Sequence, residues 1–233
     1  MGLSGARGRG RPSVPPEPTP PPKAWGIVGG TFDPIHMGHL TVAEYVRDAL
    51  DLGGVLFVPA AESPFKTARA TSPAAHRVAM VELALADNDA FRVSRLELER
   101  PAPSYTVNTL EALHASNRIC GPGLPDPVLI LSAETLLRLV EWRRPERLLE
   151  LCRIGVVPRP GHDVPTQHWL GSRFPGQADR FLILDGPELD HSSSEIRDRV
   201  AAGRSIRYRV PGVVARYIES QGLYRADAAD GGR

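Results

Sequence analysis

The sequence predicts an α/β fold: one Rossmann-like, doubly wound parallel sheet, with the whole folded chain forming a single domain. Three observations predict it. Short apolar runs alternate with longer stretches of helical period along almost the entire chain. The runs are continuously apolar, as strands are when helices cover both faces of a sheet. The first run passes directly into Gly29-Gly30 and then into a helical pattern, the kind of strand-to-helix junction at which such sheets bind ligands.

The elements follow in order. AWGIVGG (24–30) is a short buried strand. MGHLTVAEYVRDAL (37–50) places Leu40, Ala43, Val46 and Leu50 at a helical period. GVLFVPA (54–60) is the second strand. SPAAHRVAMVELALADN (72–88) is the second helix, with Ser72 as a capping side chain and Pro73 in its first turn. FRVSRLEL (91–98) is a third strand and SYTVNTLEALHAS (104–116) a third helix, for which Ser104 is the expected cap. DPVLILSAE (126–134), RIGVVPRPG (153–161) and RFLILDG (180–186) supply the fourth, fifth and sixth strands. SSEIRDRVAAG and PGVVARYIESQG are closing helices, with Gly203 and Gly222 as stop signals. The Pro/Gly-rich stretch 158–177 gives no clear period.

Composition sets the boundaries. Residues 1–23 are rich in Gly, Arg and then Pro, cannot bury a core, and are expected to form a disordered tail. Residues 24–225 form the folded domain and 226–233 a flexible end. The formal net charge of +1 among 233 residues gives no global argument for nucleic acid or for an anionic membrane. No apolar run approaches the roughly 18–20 residues of a membrane span. The basic N-terminus lacks the apolar core of a secretory signal. Cys120 and Cys152 are far apart and have no metal-ligand spacing, so reduced thiols in a cytoplasmic protein are expected.

The chemistry is concentrated in GGTFDPIHMGHL (29–40). Gly29 and Gly30 let a ligand come close to the backbone at the end of a strand. The helix that follows offers unpaired N–H groups and the positive end of its dipole, which suits phosphate. His36 and His39, three residues apart, lie on one face of that terminus, and their imidazoles can donate to phosphoryl oxygens as charge develops in a transition state. Near the other end of the chain, Ser192, Ser193 and Ser194 open a helix with Arg197 one turn in, a second anion site. Ser192 and Glu195 also have the spacing of a capping box.

GGTFDPIHMGHL resembles the signature of nucleotidyltransferases with the His-x-Gly-His motif, and HSSSEIRDRV resembles their Ile-Ser-Ser-Thr-x-Ile-Arg segment. Within that superfamily, PSYTVNTL (103–110) and Trp142 resemble the nicotinate-nucleotide adenylyltransferases of bacterial type. The likeness runs from about Trp25 to Tyr224. It implies transfer of the adenylyl group of ATP to nicotinate mononucleotide, releasing pyrophosphate and giving deamido-NAD, a step of NAD biosynthesis. It implies Mg²⁺ carried by the ATP phosphates, with no dedicated protein site. By resemblance, Gly29, Gly30, Thr31, Phe32, His36, His39, Arg159, Ser192, Ser193, Ser194 and Arg197 bind ATP. Tyr105 and Thr106 meet the pyridine carboxylate through backbone N–H groups, Trp142 stacks on the ring, and Glu134 and Lys66 complete the acceptor site. Catalysis then rests on His36, His39, Lys66 and Arg197. The partners are the two small substrates, with neither nucleic acid nor membrane, and a homo-oligomer is compatible with the pattern.

The chain departs from the family at several points. Ser132-Ala133-Glu134 stands for Gly-Ala-Asp, Phe65 for a histidine, His191 for an apolar residue and Ser194 for threonine. The first two are expected to alter substrate affinity more than the chemical step. Alternatives left open are nicotinamide mononucleotide or phosphopantetheine as acceptor, and a relative that binds ATP without reacting.

Overall fold

Alternation within the strands sets the architecture. In the computed structural model, which describes residues 21–61 and 71–226, Ile27, Leu56 and Val58 enter one core. Val28, Val55 and Phe57 enter the other. Neighbouring residues on a strand point to opposite faces, so a strand apolar at every position needs helices on both sides. The sheet has six strands: β1 (Trp25–Gly30), β2 (Gly54–Pro59), β3 (Phe91–Val93), β4 (Val128–Ser132), β5 (Arg153–Val157) and β6 (Phe181–Ile183). All pairs are parallel, in the order β3-β2-β1-β4-β5-β6. The expected doubly wound sheet is therefore present, and its order reverses between β1 and β4.

One face is covered by α3 (Thr106–Ser116) and α5 (Pro145–Leu151), through Val107, Leu110, Leu148 and Leu149. The short α4 (Ala133–Leu137) and α6 (Gln167–Arg173) join them through Leu136 and Leu170. The other face is covered by α1 (Met37–Ala49), α2 (Ala74–Leu85), α7 (Ser193–Ala201) and α8 (Gly212–Ser220). These contribute Ala43 and Val46, Met80 and Val81, Ile196, and Val214 with Ile218. Gly203 and Gly222 follow α7 and α8 at φ of +65° and +62°, the left-handed conformation that ends a helix at little cost.

Three local expectations need correction. The third strand stops at Val93 instead of reaching residue 98. It is an edge strand paired only to β2, and the Ser94 hydroxyl accepts from Leu96 N–H at 3.3 Å and turns the chain away. Ser72 does not cap α2; Pro73 occupies the cap without a side-chain bond, while Ser72 N–H donates to Asp33 at 3.1 Å. Ser104 does not cap α3 either. The cap is Tyr105, and the Ser104 hydroxyl instead accepts from Ala61 N–H at 3.2 Å. In the stretch 158–177, α6 is capped by Thr166, which accepts from Trp169 N–H at 3.2 Å. Flanking prolines and glycines hid its short period. Cys120 and Cys152 are buried free thiols, pushed up by burial to about 11 and about 12, so neither is a ready nucleophile. Among the described residues, no helix is long and apolar enough to cross a membrane.

Candidate active site

A parallel sheet whose strand order reverses leaves a crevice at the carboxyl ends of the two strands that part. Here that crevice lies beyond Gly30 of β1 and Ser132 of β4, and it opens into a cleft of about 620 Å³. A Cβ added at Gly29 would meet nothing within 4 Å, so the backbone there is open to a ligand. Phe32 follows in the left-handed region, at φ +50°, and is 2% exposed. This conformation turns its ring under the site, 5.1 Å from the His39 ring and edge-on to it.

The two histidines cap α1 reciprocally. His36 is the N-cap, and its Nδ1 accepts from His39 N–H at 3.4 Å. His39 Nδ1 accepts in return from His36 N–H at 3.3 Å. The bonds are long, but together they settle two donors of a helix start. The rings are stacked, with centroids 3.6 Å apart. A nitrogen that accepts carries no proton, so each neutral ring holds its hydrogen on Nε2, the edge away from the backbone. Burial, followed by the charges of His191 and Arg159, lowers the His36 pKa from 6.5 to about 3. His36 is therefore a neutral Nε2–H donor at physiological pH.

The start of α7 borders the same cleft, but its three hydroxyls are engaged within the protein. Ser192 accepts from Glu195 N–H at 3.3 Å, Ser193 donates to the Pro34 carbonyl at 2.9 Å, and Ser194 accepts from Arg197 at 3.1 Å. What remains for an anion is the backbone: no described residue accepts from the N–H groups of Ser193 and Ser194. Only half of the capping box forms, because the Glu195 carboxylate turns to Arg209 at 2.8 Å. Arg197, expected on the phosphates, lies one turn into α7, beside Ser194 of the cleft wall. Its guanidinium donates to the Asp33 carbonyl at 2.6 Å and to Ser194, tying α7 to the loop before α1.

Across the cleft, Tyr105, Thr106, Trp142, Glu134 and Arg159 come together as expected. The N–H groups of Thr106 and Val107 at the start of α3 have no acceptor among the described residues. Trp142 is half-buried against the core. The unusual Ser132 acts as the N-cap of α4, its hydroxyl accepting from Thr135 N–H at 3.2 Å. The Glu134 carboxylate lies 3.8 Å from Arg159 and 3.9 Å from His162, a reach to which its extra methylene contributes. Lys66 and the rest of the Pro64–Lys66 segment lie outside the described residues.

Three groups bearing on the site escaped the sequence reading. Glu97 is 8% exposed and lines the cleft. Thr109 donates to it at 2.7 Å, and burial holds its pKa above the ordinary carboxylate value. Arg77 is 1% exposed, and its guanidinium donates to the carbonyls of Thr31, Ala60, Ala61 and Ser72 at 2.8, 2.7, 3.3 and 3.0 Å. Tyr224, near the C-terminus, donates to the Asp33 carboxylate at 2.6 Å, and burial raises the pKa of its phenol. A signal for Arg77 was present: it shares a helical stripe with Val81, Ala84 and Leu85, so a charge falls on a core face. Glu97 and Tyr224 carry no comparable local signal.

Residues 27–199 match the family model described as cytidylyltransferase-like. A probable nicotinate-nucleotide adenylyltransferase of Roseiflexus sp. (strain RS-1) is 50% identical over 202 residues, covering 86% of this chain and 97% of the relative. Its counterpart in Acidothermus cellulolyticus is 40% identical over 208 residues, covering 89% and 96%. Among solved structures, the nicotinic acid mononucleotide adenylyltransferase of Plasmodium falciparum, complexed with NaAD, superposes with a TM-score of 0.69. It is 18% identical and covers 87% of this chain and 97% of its own, a likeness of fold. Identity at this level over nearly the whole described chain, joined to a histidine-capped helix at the switch point of the sheet, makes the chain a member of the nicotinate-nucleotide adenylyltransferase family within the cytidylyltransferase-like proteins.

Proposed function

We propose that this chain transfers the adenylyl group of ATP to nicotinate mononucleotide, giving nicotinate adenine dinucleotide (deamido-NAD) and pyrophosphate. The observation that carries the reading is the pairing within one cleft of two helix starts with different furnishings. The start of α1, with its two Nε2–H imidazoles, faces a phosphate chemistry. The start of α3, with unaccepted N–H groups beside Tyr105 and Trp142, suits a flat ring bearing a carboxylate.

In the reaction an oxygen of the mononucleotide phosphate attacks the α-phosphorus of ATP. A new P–O bond forms, the bond from the α-phosphorus to its bridge oxygen breaks, and the electron pair leaves with pyrophosphate. The nucleophile is already an anion at neutral pH, so the protein need not supply a strong base. Its contribution is positioning and charge stabilisation. His36 and His39 donate through Nε2–H to phosphoryl oxygens of the reacting centre, without giving up their protons. The backbone N–H groups of Ser193 and Ser194 receive the outer phosphates. Ser193 and Arg197 act one step away, by fixing the carbonyls of Pro34 and Asp33 and so the path into α1. Arg159, bonded to the His191 carbonyl at 3.4 Å and close to Glu134, forms the wall on the adenosine side. Lys66 would add a cation to the phosphates.

A divalent ion fits this scheme as part of the substrate. Among the described residues, no group of three or more His, Cys, Asp or Glu side chains could hold one. Mg²⁺ bound by the triphosphate would neutralise charge on the leaving pyrophosphate. The buried thiols fit a reducing compartment, and we assign the enzyme to the cytoplasm on that ground.

The test is pyrophosphate release with ATP and Mg²⁺ and, side by side, nicotinate mononucleotide, nicotinamide mononucleotide or phosphopantetheine, with the product identified by mass. Strong preference for the first is expected. Turnover of phosphopantetheine alone would overturn the acceptor, and binding of ATP without any turnover would overturn the catalytic reading.

A further inference from the structure

His191 holds an imidazole in the cleft that nothing in the protein employs. It precedes Ser192, the cap of α7, and its ring lies 6.2 Å from the His36 ring, inclined by 30°. The first turn of α1 makes room for it: a Cβ added at Gly38 would stand 3.1 Å from His191 Cβ and 3.1 Å from His36 Nδ1. The backbone of His191 is fixed, because its carbonyl accepts from Arg159 at 3.4 Å. The ring is not. Neither of its nitrogens bonds to a described residue, and Nδ1 is buried without a partner. His36 and His39 differ in this respect, since each commits Nδ1 to the start of α1.

A buried polar atom without a partner is costly. If His191 served only to pack on Gly38, an apolar side chain of similar size would do so without that cost. A ligand that brings an acceptor removes the penalty. The cleft surrounding the ring is furnished for anions by two imidazole donors and by the start of a nine-residue helix. We infer that His191 is a third phosphate-binding imidazole, which donates a ring N–H to an oxygen of the β- or γ-phosphate of ATP and holds the pyrophosphate as it departs. It keeps its proton throughout: the bond that breaks joins the α-phosphorus to its bridge oxygen, and the electron pair goes to pyrophosphate. A half-turn about Cβ–Cγ exchanges Nδ1 with a ring carbon, so either nitrogen can be presented. The inference rests on ATP as the nucleotide and not on the identity of the acceptor.

The experiment uses the full chain and three variants. His191→Leu fills the volume without a donor. His191→Asn keeps a donor near the place of Nδ1, and His191→Gln keeps one near the place of Nε2. Calorimetric titration with pyrophosphate and with Mg²⁺–ATP is read beside thermal melting and the KM for nicotinate mononucleotide. The leucine variant should bind pyrophosphate and ATP about tenfold or more weakly, as expected for loss of a hydrogen bond to a charged group. At least one amide variant should recover most of that loss. No variant should melt below the parent, and the KM for nicotinate mononucleotide should stay within about twofold. Leucine binding within twofold of the parent overturns the inference. So does equal weakness in all three variants, or a parent chain that binds neither pyrophosphate nor ATP. A parent that binds both but makes no dinucleotide from nicotinate mononucleotide leaves His191 in its role and overturns the choice of acceptor.

Discussion

His36 has two separable tasks, and replacing it with serine or alanine should separate them. Its Nδ1 caps α1, and its Nε2–H points away from the backbone as a donor for phosphate. Both variants lose the same buried ring and the same stack against His39, so that common loss cancels in their difference. Serine is a good N-cap and alanine a poor one, a contrast of about 1 kcal/mol. Neither can donate as the imidazole does, and loss of one such donor costs about 10²- to 10³-fold in turnover. The serine variant should therefore unfold in urea at a higher midpoint than alanine, with the same slope, while both show the same depressed rate of pyrophosphate release. The pH dependence adds a check. The folded-state pKa of His36 is about 3, below its ordinary 6.5, so the unfolded chain binds the extra proton more readily. Stability is thus complete above pH 6.5 and is lost as pH falls through the interval toward 3, by roughly 3 kcal/mol at pH 4.5 from this group. Both variants should show a flatter loss of stability over that range. Serine restoring turnover more than tenfold above alanine would refute the donor role, and equal midpoints would refute the cap.

Three other perturbations have definite expected outcomes. Trp142→Ala should raise the KM for nicotinate mononucleotide about tenfold and leave that for ATP nearly unchanged; equal effects on both would make Trp142 a core residue only. Arg77→Met strips four backbone carbonyls of their donor and should cost about 3–5 kcal/mol in urea unfolding, with a loss under 1 kcal/mol counting against the buried role. Gly38→Ala drives a methyl group toward the His36 and His191 rings. Its turnover should fall by more than tenfold with little change in melting temperature, and unaltered turnover would show that the rings have room to yield.

The fold was legible because its signals are local and repeated. Strands such as Gly54–Pro59 are apolar at every position, and the glycines that end α7 and α8 are punctuation any reading can use. The histidine pair was legible for the same reason, since three residues of spacing put both rings on one helix start. Less was visible where a side chain's partner lies far along the chain. Ser72 and Ser104 look like caps in sequence, but tertiary partners 39 and 43 residues away claim Ser72 N–H and the Ser104 hydroxyl. Arg197 looks like a phosphate ligand, and nothing local shows that it also donates to a carbonyl 164 residues away. The bond between Tyr224 and Asp33 spans 191 residues, and no local pattern announces it. Ser132 stands out in sequence only as a departure from the family; that its hydroxyl caps a helix is seen only in the structure.

The Arg77 guanidinium reaches Ala60 and Ala61 on one side and Ser72 on the other. The two ends of the intervening stretch are therefore joined by the side chain, whatever the number of residues between them. Closure entropy grows only logarithmically with contour length, about 0.6 kcal/mol for each doubling. With both anchors held by one guanidinium, a change in the length of chain between them is expected to cost little in stability. The clasp thus ties Ala61 and Ser72 to Thr31 on the wall of the cleft, so that loss of Arg77 is felt at the nucleotide site as well as in stability.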